Sequence, residues 1–162
     1  MRRWLLPLLV PLVLAACDKP EPPWVSPVAF DTAQAWIRGA SDSVPLTVEL
    51  ARTSAQKTYG LMARPSLDAS SGMVFVYDSI QPGTAGFWMW RTKMPLDIAF
   101  MDSAGVFVRV LTMQPCASDL YSSSCGTYLP NAAYRSALEV NAGWFAQHGV
   151  GEGAVLRLDG AR

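Results

Sequence analysis

Short apolar stretches with a repeat of two residues run through the chain after residue 43, and they restrict it to a fold built mainly of strands. Leu46, Val48 and Leu50 alternate with polar residues, which is typical of a strand with one buried face. Further runs of apolar, β-branched and aromatic residues follow at 72–77, 87–90, 98–101, 106–111, 137–140 and 154–158. Turn sequences such as Gln-Pro-Gly and Asp-Ser-Ala-Gly separate some of these runs. The pattern predicts a sheet of short strands.

Two short helices are predicted between these strands. Thr53 and Gln56 form a capping-box pattern, because the threonine hydroxyl can accept from a backbone N–H while the glutamine side chain reaches back. This helix is expected to end before Pro65, and a helical turn is expected at 143–148. The expected fold is a single α+β domain over residues 43–162. Its sheet is mainly antiparallel and rolled or barrel-like, with two or three short helices.

The first sixteen residues have the layout of a secretory signal peptide. Arg2 and Arg3 precede an apolar run at 4–16 that contains two prolines. A helix of this length reaches about 20 Å, against roughly 30 Å of bilayer hydrocarbon. The run ends in Leu-Ala-Ala followed by Cys17, which resembles the lipobox of bacterial lipoproteins. We expect cleavage before Cys17, lipidation of its thiol and an extracytoplasmic, membrane-anchored protein, on the periplasmic face if the host has two membranes; a plain signal peptide is the alternative.

Residues 17–42 are expected to form a tether between the membrane and the domain. Four of the ten residues at 18–27 are proline, which favours an extended, polyproline-like backbone. Farther on, Ala33, Trp36 and Ile37 have helix-like spacing and Gly39 follows as a stop. A short helix is therefore expected here, ahead of the folded domain.

The charge composition argues against nucleic-acid binding. Thirteen Lys and Arg side chains balance thirteen Asp and Glu side chains, so no basic surplus exists to neutralise a phosphate backbone. The sequence also has no phosphate-binding loop, dinucleotide fingerprint or Gly-x-Ser-x-Gly motif. No cofactor is expected, and the oligomeric state stays open.

Cys116 and Cys125 lie in a polar loop, and in an exported protein a disulfide is the natural interpretation of such a pair. Free thiols are the main alternative. A zinc site needs about four ligands, and His148, the only histidine, has no paired spacing with the cysteines. His148 precedes Gly149 at the end of the predicted helical turn, which is an ordinary helix ending. No metal site is expected.

An aromatic block and the polar residues after it form the candidate binding site. Trp88 and Trp90 share one side of the predicted strand while Phe87 and Met89 share the other, so one bulky pair points to a less buried face. These pairs either fill the core or form a platform for a sugar or an apolar ligand. The candidate ligand-binding residues are Trp88, Trp90, Arg91, Thr92, Asp97, Tyr128 and Asn141.

Asp97 is the most unusual of these residues, because it is a carboxylate inside an apolar run. Two interpretations stay open: it clamps a turn or pairs with an arginine, or it forms the polar floor of a pocket. Glu139 alternates with Leu138 and Val140, so an exposed strand face explains it as well as a site does. As catalytic candidates, Asp97 and Glu139 would be the acid and base of a small hydrolase or transferase that acts on carbohydrate or envelope polymer.

Four blocks of sequence carry a resemblance to a known family. They are Gly-Leu-Met at 60–62 with Arg64 and Leu67, Gly-Met-Val-Phe-Val at 72–76, Phe-Trp-Met at 87–89 leading to Pro-Leu-Asp-Ile-Ala-Phe at 95–100, and Leu-Glu-Val-Asn-Ala-Gly at 138–143. Together they resemble the domain-of-unknown-function 192 family of bacterial and archaeal proteins, from about residue 44 to residue 158. The resemblance implies a compact antiparallel α+β barrel that is often secreted or lipid-anchored, without an established reaction.

The sequence thus predicts a lipid-anchored protein of the cell envelope that works as a binding or interaction module. Its partner would be an envelope protein or a small molecule. The enzyme described above is one alternative, and a purely structural lipoprotein whose own loop at 112–135 fills the candidate site is another. An open aromatic cleft favours binding, whereas a second carboxylate about 5 to 9 Å from Asp97 favours hydrolysis.

Overall fold

The computed structural model describes residues 24–39, 42–116 and 122–159. The predicted signal peptide at 1–16 and the predicted lipidation site Cys17 lie outside the described residues. The strands are β1 (Asp31–Arg38), β2 (Ser43–Ala51), β3 (Ser71–Gln81), β4 (Phe87–Trp88), β5 (Leu96–Met101), β6 (Phe107–Met113), β7 (Thr127–Tyr128), β8 (Tyr134–Asn141) and β9 (Val155–Leu158). The α-helices are α1 (Ser54–Tyr59) and α2 (Trp144–Gln147). Among the described residues, neither helix has the length and hydropathy that crossing a membrane requires.

Seven of these strands form one curled sheet in the order β6-β5-β8-β3-β2-β1-β9, and β4 pairs with β7 in a separate ribbon. The pairs in the large sheet are antiparallel except β2 with β3, which are parallel. The helix α1 lies in the connection between β2 and β3, because parallel neighbours need a longer crossover than a hairpin. The structure therefore confirms an antiparallel-rich sheet with short helices, and the one parallel pair makes the sheet mixed.

The two edges of the large sheet meet at one end. Phe107 N donates to Ala154 O at 2.8 Å, and Leu156 N donates to Gly105 O at 2.9 Å. These bonds join β9 to the start of β6 and to the turn before it. The sheet is thus curled into a half-barrel, in agreement with the rolled sheet expected from the sequence.

The segment Asp31–Arg38 is a strand, and the short helix predicted there is wrong. It pairs antiparallel with both β2 and β9. Ala35 and Ile37 are fully buried while Trp36 between them is exposed, which is a repeat of two. Apolar residues in so short a segment fit either spacing, and pairing on both sides favours the strand. The sheet therefore includes residues before the domain start expected near residue 43.

The helix α1 begins as the sequence predicts. Gln56 N donates to Thr53 Oγ1 at 3.2 Å, and the Thr53 N–H donates to Gln56 Oε1 at 2.9 Å, so both halves of the capping box are present. The helix ends at Gly60, whose φ of 49° favours a residue without a Cβ. A Cβ there would lie 3.2 Å from the ring of Phe75. The glycine thus lets the end of α1 lie close against β3.

Both faces of the central strands are buried. The α2 face is defined here by Val74, Ala99, Leu138 and Val140, which pack on Trp144 and Phe145. The aromatic face is defined by Met73, Phe75, Ile98 and Phe100, which pack on Leu61, Phe87 and Met89. Consecutive residues of a strand point to opposite faces, so these central strands carry little of the polar alternation that a solvent-exposed sheet would show.

Candidate functional site

Glu139 is a buried carboxyl group at the centre of the aromatic face. It lies in β8, opposite Met73 of β3 and Ile98 of β5, and only 4% of its surface is exposed. Cross-strand partners point to the same face of a sheet, so the carboxyl group lies among apolar side chains. Its burial excludes the interpretation of Glu139 as part of an exposed strand face.

Glu139 lines a cavity of about 100 Å³, which is called here the Glu139 cavity. The walls come from α1 and the turn after it, from β3, and from the segment around β4. The side chains in this lining include Lys57, Thr58, Phe75, Tyr77, Phe87, Trp88 and Thr92. A water molecule takes about 30 Å³ in the liquid, so the cavity has room for one small functional group of a ligand.

The carboxyl group of Glu139 makes no hydrogen bond or ion pair with any residue in the described part of the chain. Burial raises the pKa of Glu139 from 4.5 to about 8, because loss of water disfavours the charged form. At pH 7 the group is mostly protonated and can donate a hydrogen bond as well as accept one. Buried polar groups in proteins are nearly always paired, so an unpaired one beside a cavity marks a candidate site.

Lys57 is the positively charged residue in the lining of the Glu139 cavity. Its ammonium group donates to Val76 O at 3.1 Å and lies 4.8 Å from the centre of the Tyr77 ring, a cation–π contact. Burial raises the pKa of Tyr77, so the phenol stays neutral. Since Glu139 is mostly protonated at pH 7, Lys57 is the one fully charged side chain that the described chain contributes to this lining.

The aromatic block divides between the core and the surface. Phe87 and Met89 are buried on the aromatic face, whereas Trp88 is 40% exposed and lines the Glu139 cavity. The ring of Trp90 lies 5.8 Å from that of Trp88, outside the cavity. Arg91 is exposed, and its guanidinium lies 4.7 Å from the Trp90 ring. Of the predicted ligand-binding residues, Trp88 is therefore at the cavity while Trp90 and Arg91 are beside it.

Thr92 is the second predicted residue at this cavity. It is buried, and its hydroxyl has no hydrogen-bond partner among the described residues. Its position is set by the turn after β4, in which Thr92 N donates to Met89 O at 3.1 Å. The hydroxyl is therefore a second polar group of the lining that is left for a ligand or for water.

Asp97 lies on the other side of the sheet. It faces Val140 across β5 and β8, one position away from the pair of Ile98 and Glu139. Neighbouring positions in a strand point to opposite faces, so Asp97 is on the α2 face and Glu139 is on the aromatic face. The predicted acid–base pair of Asp97 and Glu139 is wrong for this reason: the sheet itself separates the two carboxyl groups.

Both oxygens of the Asp97 carboxylate accept a hydrogen bond within the fold, one of them from the residue at the start of α2. Its Oδ2 accepts from the Gly143 N–H at 2.8 Å, and its Oδ1 accepts from the Thr112 hydroxyl at 2.7 Å. Gly143 is the N-cap residue of α2, has a φ of 83° and offers no side chain for capping. Asp97 is thus the clamp on a turn that one of its two sequence interpretations describes, and it is not at a pocket floor.

Asn141 and Tyr128 also make structural contacts away from the Glu139 cavity. Asn141 Nδ2 donates to Leu67 O at 3.0 Å and to Asp68 O at 3.2 Å. The Tyr128 hydroxyl accepts from Gln114 N at 2.9 Å and borders a different cavity, next to the disulfide. The structure does not bring these two predicted ligand residues to Trp88 and Thr92.

The disulfide prediction is confirmed. Cys116 and Cys125 are bonded, with their Cα atoms 5.4 Å apart. His148 is the C-cap of α2, stacks on Trp144 at 4.1 Å between ring centres and has Nδ1 2.8 Å from Trp144 O, as expected of a helix ending. Over residues 24–39, 42–116 and 122–159, no group of three or more His, Cys, Asp or Glu side chains is arranged to hold a metal ion.

Arg64 forms a second buried polar cluster on the aromatic face. It is 9% exposed and pairs with Glu49. Its guanidinium lies 5.2 Å from the Trp24 ring and 5.9 Å from the Phe30 ring. This cluster carries its own counterion, unlike Glu139. From the sequence, Arg64 or Arg91 is a possible partner for Asp97; in the structure Arg64 pairs with Glu49.

Sequence reasoning missed Lys57 and Tyr77 at the cavity. Tyr77 has the same parity as Met73 and Phe75 in β3, so its side of the strand could be read from the sequence. Whether Glu139 lies on the same side of the sheet as Tyr77 depends on the register between β3 and β8. This register cannot be read from the sequence of either strand alone. Lys57 reaches the cavity only because α1 crosses between β2 and β3.

Comparison with known proteins agrees with this fold. A family model, DUF192, described as "Uncharacterized ACR, COG1430", matches residues 36–158. A crystal structure of a protein from Sinorhizobium meliloti 1021, described as a "putative transcription regulator", is 28% identical with a TM-score of 0.74, over 84% of this chain and 100% of that chain. A protein of unknown function from Novosphingobium aromaticivorans DSM 12444 is 29% identical with a TM-score of 0.67, over 85% of this chain and 94% of its own. No curated protein matches.

Proposed function

This chain belongs to the DUF192 family of uncharacterised proteins, and we propose that it is a lipid-anchored binding module of the cell envelope that holds a small molecule in the Glu139 cavity. The observation that carries the binding proposal is the Glu139 carboxyl group, which is buried, unpaired within the described chain and lines a cavity. A buried polar group without a partner costs about 1–3 kcal/mol. A ligand that pairs with it recovers this free energy.

A purely structural role has less support. It requires the loop at 112–135 to fill the site, and none of the loop residues that the structure describes, 112–116 and 122–135, lines the Glu139 cavity. Tyr128 of the loop instead bonds to Gln114 and lies next to the disulfide. The described part of the loop thus leaves the Glu139 cavity open, which favours a binding role.

An enzymatic role also has less support than binding. Glycoside hydrolysis uses two carboxyl groups about 5 to 9.5 Å apart, and Glu139 is the one carboxyl side chain that the described residues bring to the cavity. A role in transcription, which is in the description of the Sinorhizobium meliloti protein, finds no support in the balanced charge of this chain.

The proposed membrane attachment rests on the N-terminal sequence, in which Leu-Ala-Ala precedes Cys17. The disulfide between Cys116 and Cys125 supports export, because disulfides persist in oxidising compartments. Mass spectrometry of the protein extracted from membranes is expected to find an acylated Cys17 as the first residue. A cytoplasmic chain that retains residues 1–16 would contradict the attachment.

A bulky residue in the cavity wall tests the binding proposal. Thr58 is an exposed residue of α1 that lines the cavity, whereas Ala55 is exposed on the same helix and does not line it. The full-length chain in detergent is screened by ligand-detected NMR against a library of small polar molecules. Because a new indole takes up space beside Glu139, affinity for the hits is expected to fall about tenfold or more in Thr58→Trp.

The matched variant Ala55→Trp is expected to keep the affinity of the wild type, because its indole lies outside the cavity lining. Circular dichroism checks that both variants are folded. Hits that bind both variants equally, or a library without hits, would reject the Glu139 cavity as the binding site.

A further inference from the structure

At pH 7 each polar side chain that the described residues bring to the Glu139 cavity can donate a hydrogen bond, and one of them, Lys57, is positively charged. At pH 7 the Glu139 carboxyl is mostly protonated and has an O–H to donate. Thr92 also lines the cavity, and its hydroxyl has no partner among the described residues. Lys57 adds an ammonium group with three N–H donors, one of which bonds to Val76 O. Such a set fits a ligand group that is rich in acceptors and negatively charged.

The other titratable groups around Glu139 do not oppose an anion. Tyr77 of β3 and Tyr134 of β8 are neutral phenols, and burial raises the pKa of both. Tyr59 of α1 is a third phenol in the lining. Glu49 of β2 is on the far side of Met73 in the sheet and is paired with Arg64. The segment from β4 to Thr92 contributes no acidic or basic side chain to the lining.

We propose that the ligand of the Glu139 cavity carries a carboxylate, which accepts a hydrogen bond from the Glu139 side chain and is paired with the Lys57 ammonium. This inference rests on the binding function proposed above and names its chemical class. A hydrogen bond from a neutral acid to a carboxylate is short and charge-assisted. Phe75, Phe87 and Trp88 line the same cavity, so they receive the short apolar part of a small organic acid.

An ammonium group is the competing ligand class. Its binding is favoured when Glu139 loses its proton to the solvent, and the ion would enter next to the positive charge of Lys57. The two classes differ in their proton balance: a carboxylate needs the Glu139 proton to stay, whereas an ammonium ion is favoured when that proton leaves. The dependence of affinity on pH therefore distinguishes them.

The test measures the affinity of the full-length chain for acetate, acetamide and methylammonium by NMR titration between pH 6.5 and pH 9. Acetate is expected to bind more tightly than the other two at pH 6.5, and its affinity is expected to fall about tenfold per pH unit above pH 8. Glu139→Gln keeps an N–H donor in place of the acid, so its acetate affinity is expected to stay constant over this range.

Two charge variants test the role of Lys57. Lys57→Gln is expected to weaken acetate binding about fivefold or more, because the charge in the lining is lost. Lys93→Gln removes the same charge from an exposed residue that does not line the cavity, and it is expected to change the affinity less than about twofold.

The outcomes separate the two proposals. If methylammonium binds in place of acetate and Thr58→Trp blocks it, the carboxylate inference is overturned while the binding function stands. The inference is also overturned if acetate binds with an affinity that neither Lys57→Gln nor pH alters. If no probe or library molecule shows binding that depends on Thr58→Trp, both proposals are rejected.

Discussion

Asp97 in β5 and Glu139 in β8 are buried carboxyl groups on neighbouring strands. They differ in their hydrogen-bond partners and in the space beside them. Each is 4% exposed, and their positions are one step apart in the register of the two strands. Asp97 accepts hydrogen bonds from Gly143 N and the Thr112 hydroxyl. Glu139 has no partner within the described residues and faces a cavity.

The comparison shows that partners, rather than burial, separate a structural acid from a candidate site. A carboxylate that accepts hydrogen bonds can remain charged in the interior, whereas one without donors is driven towards its protonated form. Both carboxylate oxygens of Asp97 are bonded to other parts of the fold. Glu139 has its hydrogen-bonding capacity left over, at a place where the fold leaves space.

The largest expected difference between the two acids is in the pH dependence of stability at Glu139. Because its pKa is about 8 when folded and 4.5 ordinarily, the folded state holds a proton that the unfolded chain releases between these values, and stability falls as pH rises. Each unit is worth about 1.4 kcal/mol, so wild type loses on the order of 4 kcal/mol between pH 5 and pH 8 from this group. Glu139→Gln removes the loss, which urea unfolding at the two pH values measures.

The control for that measurement is Glu152→Gln, which removes an acid from a half-exposed surface pair with Arg109. Its stability is expected to follow the pH dependence of the wild type. If Glu139→Gln also follows the wild type, then Glu139 is not held protonated by the fold and the contrast with Asp97 disappears.

The second prediction concerns the hydrogen bonds that Asp97 accepts on the α2 face. Asp97→Ala leaves the Gly143 N–H without its acceptor inside the fold, and it is expected to lower the free energy of unfolding by about 3 kcal/mol at pH 7. Asp97→Asn keeps one acceptor oxygen and is expected to lose less. Urea unfolding followed by tryptophan fluorescence gives both values. A loss below about 1 kcal/mol in Asp97→Ala would show that the clamp contributes little.

The smallest prediction compares two threonines, one beside each acid. Thr112→Val removes the hydroxyl that donates to Asp97 at 2.7 Å and is expected to cost about 1 kcal/mol. Thr92→Val removes a hydroxyl that has no partner among the described residues and is expected to change stability by less than about 0.5 kcal/mol. If both variants lose the same free energy of unfolding in this assay, the Thr112 hydroxyl is no better paired than the Thr92 hydroxyl, and the contrast between the two faces of the sheet is contradicted.

Much of the fold could be predicted because its signals are local. The capping box of Thr53 and Gln56 depends on residues three apart, and the hairpin of β5 and β6 depends on a turn of a few residues. The helix wrongly predicted at Asp31–Arg38 shows the limit. Its apolar residues fit both a repeat of two and a helical spacing, and only pairing with β2 and β9 selects the strand.

The site could be predicted only in part. Trp88 and Thr92 follow from one continuous block, and the structure places both at the Glu139 cavity. Grouping Asp97 with them fails because the side on which a strand residue lies, relative to a residue of another strand, changes with a shift of one position in register. The pairing of Ile98 with Glu139 is a property of the assembled sheet.

The sequence by itself determined the strand-rich fold class, the family, the disulfide partners and the aromatic block. Each of these can be recognised from the types of residues and their order along the chain. Only the tertiary structure decided which of two buried acids has partners. That outcome depends on strand register and on where α1 and α2 cross the sheet, and hydrogen bonds between distant segments form only after those elements have packed.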